Sequence, residues 1–326
     1  MFHAGSWLES LNIYIVENIV HSAVALGLVW LILALFKIKE PALRIKFLLL
    51  PLALPIFTPI LFYLLFPQRQ GMSVLPVDKM LNLRAAFPDP ALWKAVSSLL
   101  TAALLVVAAF LLLKGALSLF SLLWLPRRFR QIKKGENSQL DAILETDGAR
   151  AGNRRPKVLL SPSSEVLCCS FGLVKPYLLI SYGLLLRLND SQIEAVVAHE
   201  VGHIRRRDGW LGFALVTLRH ILFFNPVVHL VSRRLRLESE MAADDAALGR
   251  GLDRSTYAQT LVAVCRLAAA PQAAHLGWSA FSAGAWALRR RVEHVLEPGS
   301  ISGSSYQRWL PVPMAVGLLV ILFFLC

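Results

Sequence analysis

The sequence predicts a mainly α, four-span transmembrane protein with one α+β domain of about 180 residues between spans three and four, on the cytoplasmic side. Three observations carry that expectation. Only 17% of the 326 residues are charged, against roughly 25% in ordinary soluble domains, and the mean hydropathy is +0.56. Four runs lack Asp, Glu, Lys and Arg and approach the ~20 residues needed to cross a hydrocarbon core. The Lys and Arg residues are sorted between loops rather than spread along the chain. A nucleic-acid binder with the net charge of +13 seen here would carry far more charge overall, so the excess is read by its location.

The first span covers about residues 13–36, its uncharged part beginning at Asn18. Residues 1–12 contain no Lys or Arg and no small-residue cleavage site follows, so this is expected to be a permanent span and not a signal peptide. The second span is 47–66, the third 95–125 with Lys114 in its interior, and the fourth 309–326. Lys37, Lys39, Arg44 and Lys46 crowd the first loop, the 67–93 loop holds only Arg69, Lys79 and Arg84, and Arg127, Arg128, Arg130, Lys133 and Lys134 follow the third span. Positive residues stay on the cytoplasmic side. Both termini are therefore expected outside and residues 126–308 in the cytoplasm. That segment holds 25 of the 34 Lys and Arg and 16 of the 21 Asp and Glu, a balance suited to a domain resting on an anionic leaflet. Cys168, Cys169, Cys265 and Cys326 show no C-x-x-C spacing, which argues against a disulfide scaffold or a thiolate metal knuckle.

Within the domain, Pro156 to Leu160, Glu165 to Phe171 and Tyr177 to Ile180 are β-rich runs broken by Pro162, Gly172 and Pro176, which predict a small sheet. Cys168 and Cys169 alternate across such a strand and are expected as core or edge residues. The segment Asn189 to Glu194 opens a helix, with Ser191 and Glu194 at capping-box spacing and Asp190 competing as cap. Ile193, Val196, Val197, Val201 and Ile204 form its buried stripe. On this helix stands His199-Glu200-Val201-Gly202-His203, H-E-x-x-H, whose i,i+4 spacing stacks two imidazoles on one face where they can hold one Zn²⁺. Glu200 lies beside them, placed to move a proton between water and a leaving amine.

Such a motif also arises by coincidence, so a third ligand on another element is needed. Asn225-Pro226 is a helix start with Asn as cap and Pro at the first helical position, and that helix runs to about Leu248. Of its carboxylates only Glu240 has another one turn later, Asp244. Glu240 would complete a His-His-Glu, gluzincin-like zinc metalloprotease site, and Asp244 would accept the N–H of a ligand histidine. Ala242 and Ala243 would let this helix approach the first closely. Glu238 and Asp245 read as surface. The stretch Gly209 to Phe224 is too short to span and contains Arg219 and His220, so a buried or interface-lying helix is expected. His220 and His229 are then packing or surface residues. Arg291 is a candidate oxyanion donor, against a lipid-facing basic face for the whole Arg289-Arg290-Arg291 run. An edge strand beside the His199 helix could receive a substrate by strand addition.

Together these features resemble the BlaR/MecR-type integral-membrane zinc metallopeptidases of antibiotic sensors. The carrying residues are Phe171-Gly172-Leu173 with Lys175-Pro176, Ala198 to Asp208, Asn225-Pro226 and Glu240-Met241-Ala242-Ala243-Asp244. The resemblance implies zinc on His199, His203 and Glu240, Glu200 as catalytic base and Asp244 behind a ligand. It also implies cleavage of a cytosolic transcriptional repressor in transmembrane signalling, with self-cleavage, at the inner (plasma) membrane of a bacterium. The best-known members continue into a penicillin-binding sensor after the fourth span, whereas this sequence ends at Cys326, so a different input is expected. Expected partners are a protein or peptide substrate and the lipid bilayer, with a homodimer left open and no direct nucleic acid. Competing readings are a membrane-protein quality-control or processing protease, a non-catalytic zinc-binding scaffold, and a transporter using Glu17 and His21.

Overall fold

The computed structural model describes residues 4–65, 89–148, 155–268 and 285–297, together with 313, 314 and 317. Most of the predicted fourth span and of the 67–93 loop lies outside the described residues, as does the side chain of Glu17. The chain divides into two compact units.

One unit comprises Met1–Ala116, Leu215–Leu235 and Gly303–Cys326. Its helices α1 (Ala4–Leu35) and α2 (Pro41–Leu65) cover the first two apolar runs, and α3 (Pro90–Trp124) begins here and contains the third. α1 and α2 form a hairpin that turns at Lys37, a non-glycine residue with φ of 48°. Ala25, Val29 and Leu33 are buried on α1, and Phe47, Leu48 and Leu52 on α2. Two stretches, Asn18–Leu35 and Ser98–Arg128, are long and apolar enough to cross a membrane. On α3, Leu99, Leu105, Val106 and Phe110 are exposed.

The other unit comprises Leu117–Ala214 and Arg236–Ser302. It contains β1 (Arg130–Gln131), α4 (Ser138–Gly148), β2 (Lys157–Ser161), β3 (Cys168–Phe171), β4 (Tyr177–Ser181), α5 (Tyr182–Arg187) and α6 (Asp190–Arg206). α7 (Asp208–Ile221) and α8 (Pro226–Leu248) cross between the two units, and α9 (Arg254–Ala268) and α10 (Ala285–Leu296) complete this one. The predicted three-stranded sheet is present, with β1 as an added edge: the order is β1-β2-β4-β3, with β2 parallel to β4 and both outer pairs antiparallel. Alternation along the strands gives two buried faces. Cys168, Leu178 and Ile180 join Leu184, Ile193, Val197, Val201 and Val264 in one core, while Cys169, Leu159, Leu179 and Phe171 pack with Leu122, Leu125 and Phe129 in another. The adjacent cysteines thus point to opposite faces and both thiols are free.

Gly172 has φ of +100°, and a Cβ there would lie 2.1 Å from the Lys175 carbonyl oxygen, so only glycine makes the turn from β3 to β4. α6 is capped two residues before Ser191 and one before the competing Asp190. The Asn189 side chain accepts from the Gln192 N–H while Gln192 Oε1 accepts from the Asn189 N–H, a reciprocal box that replaces the Ser191–Glu194 pair. The α6 stripe is buried as its spacing predicts, with Ile204 half-buried at its end.

Candidate metal centre

The site begins with helical periodicity. His199 and His203 stand one turn apart on α6, with rings edge to face at 4.8 Å and Nε2 atoms 3.2 Å apart. α8 supplies Glu240, because the small residues that face α6 let the two backbones approach. A Cβ on Gly202 would lie 3.2 Å from the Ala243 carbonyl oxygen and from Ala246 Cβ. Glu240 Oε2 lies 3.5 Å from His199 Nε2, and Oε1 lies 3.6 Å from His203 Nε2. The three residues are a cluster able to hold a metal ion, with ligand atoms all within 4.8 Å. Neighbouring donors of a tetrahedral zinc stand about 3.3 Å apart, close to the histidine spacing, and the Glu240 carboxylate faces one imidazole with each of its oxygens, so the residues present fit a zinc ion.

Each imidazole is held from behind, which turns its Nε2 toward the cluster. His199 Nδ1 lies 3.0 Å from Asp244 Oδ1 and 3.1 Å from the Tyr257 hydroxyl, and that hydroxyl donates to the same carboxylate at 2.8 Å. His203 Nδ1 meets Asp208 Oδ2 at 2.6 Å. α6 ends for that purpose at Arg207, in the left-handed region at φ 58°, and the reversal brings the first carboxylate of α7 back onto the second histidine. Asp208 is steadied in turn by Arg206 and by the Ser239 hydroxyl, which donates to it at 2.9 Å.

Glu200 is buried at 3% exposure, and its Oε2 accepts the Ser170 backbone N–H at 2.7 Å. β3 is an outer strand, so this N–H lies on the free edge of the sheet. The predicted base and the predicted peptide-docking edge therefore meet in one hydrogen bond.

Arg291 corrects the sequence reading. Instead of lying on a basic surface, it is 1% exposed and turned into the site. Its guanidinium donates to Asp244 through Nε at 2.9 Å and Nη2 at 2.7 Å, and Nη1 lies 2.9 Å from Glu240 Oε2. The reason is the α10 stripe: Leu288, Val292 and Val295 pack into a core with Tyr257 and Leu261, and Arg291 shares their side of the helix. Arg289 and Arg290 stay exposed and pair with Glu293. A charge on the apolar stripe of an amphipathic helix was the available signal. Tyr257 and Asp208 also received no role from sequence. Tyr257 sits in an α9 stripe that reads as ordinary core, and the role of Asp208 depends on the Arg207 reversal. Glu238 and Asp245 are corrected too. Glu238 is fully buried, and Asp245 Oδ1 meets His294 Nε2 at 2.8 Å, because both line the side of α8 that α10 covers.

The electrostatics follow from this packing. Burial raises the Glu240 carboxyl, but the Arg291 charge and the His199 contact outweigh it and hold it down at about 2. Asp244 is held far below the usual carboxylate range, burial being overcome by Arg291 and His199. Burial pulls His199 down, yet its bonds to Asp244 and Glu240 raise it to about 9. The thiol of Cys169 is pushed up to about 12 by burial and by Glu200, as expected of a core cysteine.

Comparison with known families agrees with this chemistry. The BlaR1 peptidase M56 family model matches residues 15–295, and the chain belongs to that metallopeptidase family. Among individual proteins, it is similar to the regulatory protein BlaR1 of Bacillus licheniformis, 26% identical over 143 residues that make up 43% of this chain and 24% of that protein. The methicillin resistance mecR1 protein of Staphylococcus aureus is 26% identical over 133 residues, 39% of this chain and 23% of that protein. The regulatory protein BlaR1 of Staphylococcus aureus is 22% identical over 174 residues, 52% and 29% respectively. The matched region spans about a quarter of the length of these curated relatives.

Proposed function

We propose that the chain is an integral-membrane zinc endopeptidase that cuts a peptide bond in a cytosolic or membrane-proximal regulatory protein, with a transcriptional repressor as the expected class and self-cleavage as a second event. The observation that carries this reading is the donor triangle of His199, His203 and Glu240, with both Nδ1 atoms tied to carboxylates. When bound, zinc would polarise the scissile carbonyl and acidify a water. Glu200 is placed to take a proton from the attacking water and hand it to the leaving amine. Asp244 with Tyr257, and Asp208 with Ser239, hold the two imidazoles in the tautomer that leaves Nε2 free. The outer edge of β3 aligns the substrate main chain.

In the same reading, α1, α2 and α3 provide the first three spans and residues 309–326 the fourth, with both termini outside and residues 126–308 cytoplasmic. The regulatory role is supported by the names of the relatives. Purified full-length protein should hold about one zinc per chain, and Glu200→Gln should keep the metal while losing cleavage of a co-purified candidate repressor. Cleavage that persists in Glu200→Gln would refute the assignment. A regulator should cut one partner at one bond, whereas a quality-control enzyme should degrade many unfolded membrane proteins.

A further inference from the structure

Between the histidines on α6 and Glu240 on α8 the chain makes an apolar excursion that the metal centre does not use. α7 runs to Ile221, residues 222–225 form a turn, and α8 returns from Pro226. The turn ends on Asn225, which is fully buried. Its Oδ1 accepts from the Val227 N–H at 2.9 Å, capping α8, and its Nδ2 donates to Asn18 Oδ1 at 2.8 Å and Ser22 Oγ at 3.0 Å. Asn18 and Ser22 are themselves buried on α1, at the start of the membrane-length stretch Asn18–Leu35. α7 also approaches the second membrane-length helix. A Cβ on Gly115 of α3 would lie 2.8 Å from His220 Nδ1. On the outward side, Val216, Ile221 and Leu230 are apolar and 43%, 46% and 49% exposed.

We propose that α7 and the first half of α8 form a re-entrant hairpin inserted in the bilayer beside α1, with lipid hydrocarbon covering its apolar side. This rests on the reading of α1 as a span. The 14 residues of α7 reach about 21 Å, short of the ~30 Å needed to cross but enough to penetrate most of the core. Non-helical backbone at that depth persists only where protein encloses it, and the Asn225 bonds to Asn18 and Ser22 supply that enclosure. The contact at Asn18 sets the tip near the end of the first span. The hairpin therefore stands in the membrane and does not lie along its surface.

The test uses full-length protein with Cys265 and Cys326 replaced by Ser, carrying a single bimane-labelled cysteine at Ile221, Leu230, Leu31 or Val174. It is reconstituted into phosphatidylcholine and phosphatidylglycerol vesicles with or without bromine in the acyl chains. Leu31 on α1 is 54% exposed and Val174 in the β3–β4 turn is 82% exposed, so neither probe should disturb packing. The expected result is quenching at Ile221 and Leu230 equal to that at Leu31 and severalfold greater than at Val174. Quenching at Leu31 with none at Ile221 and Leu230 would overturn the hairpin and leave the span reading intact. No quenching at Leu31 would overturn both.

Discussion

At the residue scale, the buried charges around the candidate metal centre balance one another, and removing one should expose the rest. The Arg291 guanidinium contacts both Glu240 and Asp244. Arg291→Met should destabilise the metal-free protein by about 3–5 kcal/mol, the range for breaking a buried ion pair, as read by urea unfolding. Arg291→Lys should recover part of that loss. Asp208 acts on the centre only through His203, so Asp208→Asn should leave the fold intact and weaken metal binding by ~10–100-fold in chelator competition. The H-E-x-x-H pair and the Glu240–Asp244 pair were legible in the sequence because one helical turn relates each pair, and turn spacing is a local property. Arg291 and Tyr257 were not legible, since each acquires its meaning from a contact between separate helices, Arg291 with Asp244 47 residues away and Tyr257 with His199 58 residues away.

At the scale of elements, α10 is attached to α8 by polar contacts from two residues one turn apart, Arg291 to Asp244 and Glu240, and His294 to Asp245. Arg254 holds its far end by donating to the Val295 and Glu297 carbonyls at 2.8 and 2.9 Å. Burial lowers the His294 pKa, but the bond to Asp245 and the charges of Asp245, Asp244 and Glu238 raise it above its ordinary 6.5. The sign follows from linkage. A raised histidine stabilises the folded state fully below pH 6.5, and the contribution disappears as pH climbs through the folded value. Amide exchange along α10 should therefore be faster in His294→Gln than in wild type at acid pH, and the two should converge at alkaline pH. A gap that widens with pH would contradict this. The sheet and α6 were legible from β-rich runs and an apolar stripe. β1 was not, because a two-residue strand has no periodicity of its own and forms only where β2 offers an edge.

At the scale of the molecule, the chain is interleaved. The sequence suggests one continuous domain over 126–308, but residues 215–235 cluster with the N-terminal helices. An apolar stretch with an Arg and a His inside it does not announce which partner it will pack against, so only the folded arrangement reveals the grouping. α8 is the element that belongs to both units, with Asn225 at its start fastened to α1 and Glu240 two-thirds of the way along it beside the histidines. An unbroken helix works as a camshaft, in which each residue added or removed turns everything beyond it by about 100°. Ala243 faces Gly202 on α6, so deleting Met241 should turn Glu240 by about 100° relative to that contact and abolish metal retention in chelator competition. The length of α8 thereby sets the direction in which Glu240 points, a constraint of screw geometry that is independent of which side chains fill the interval.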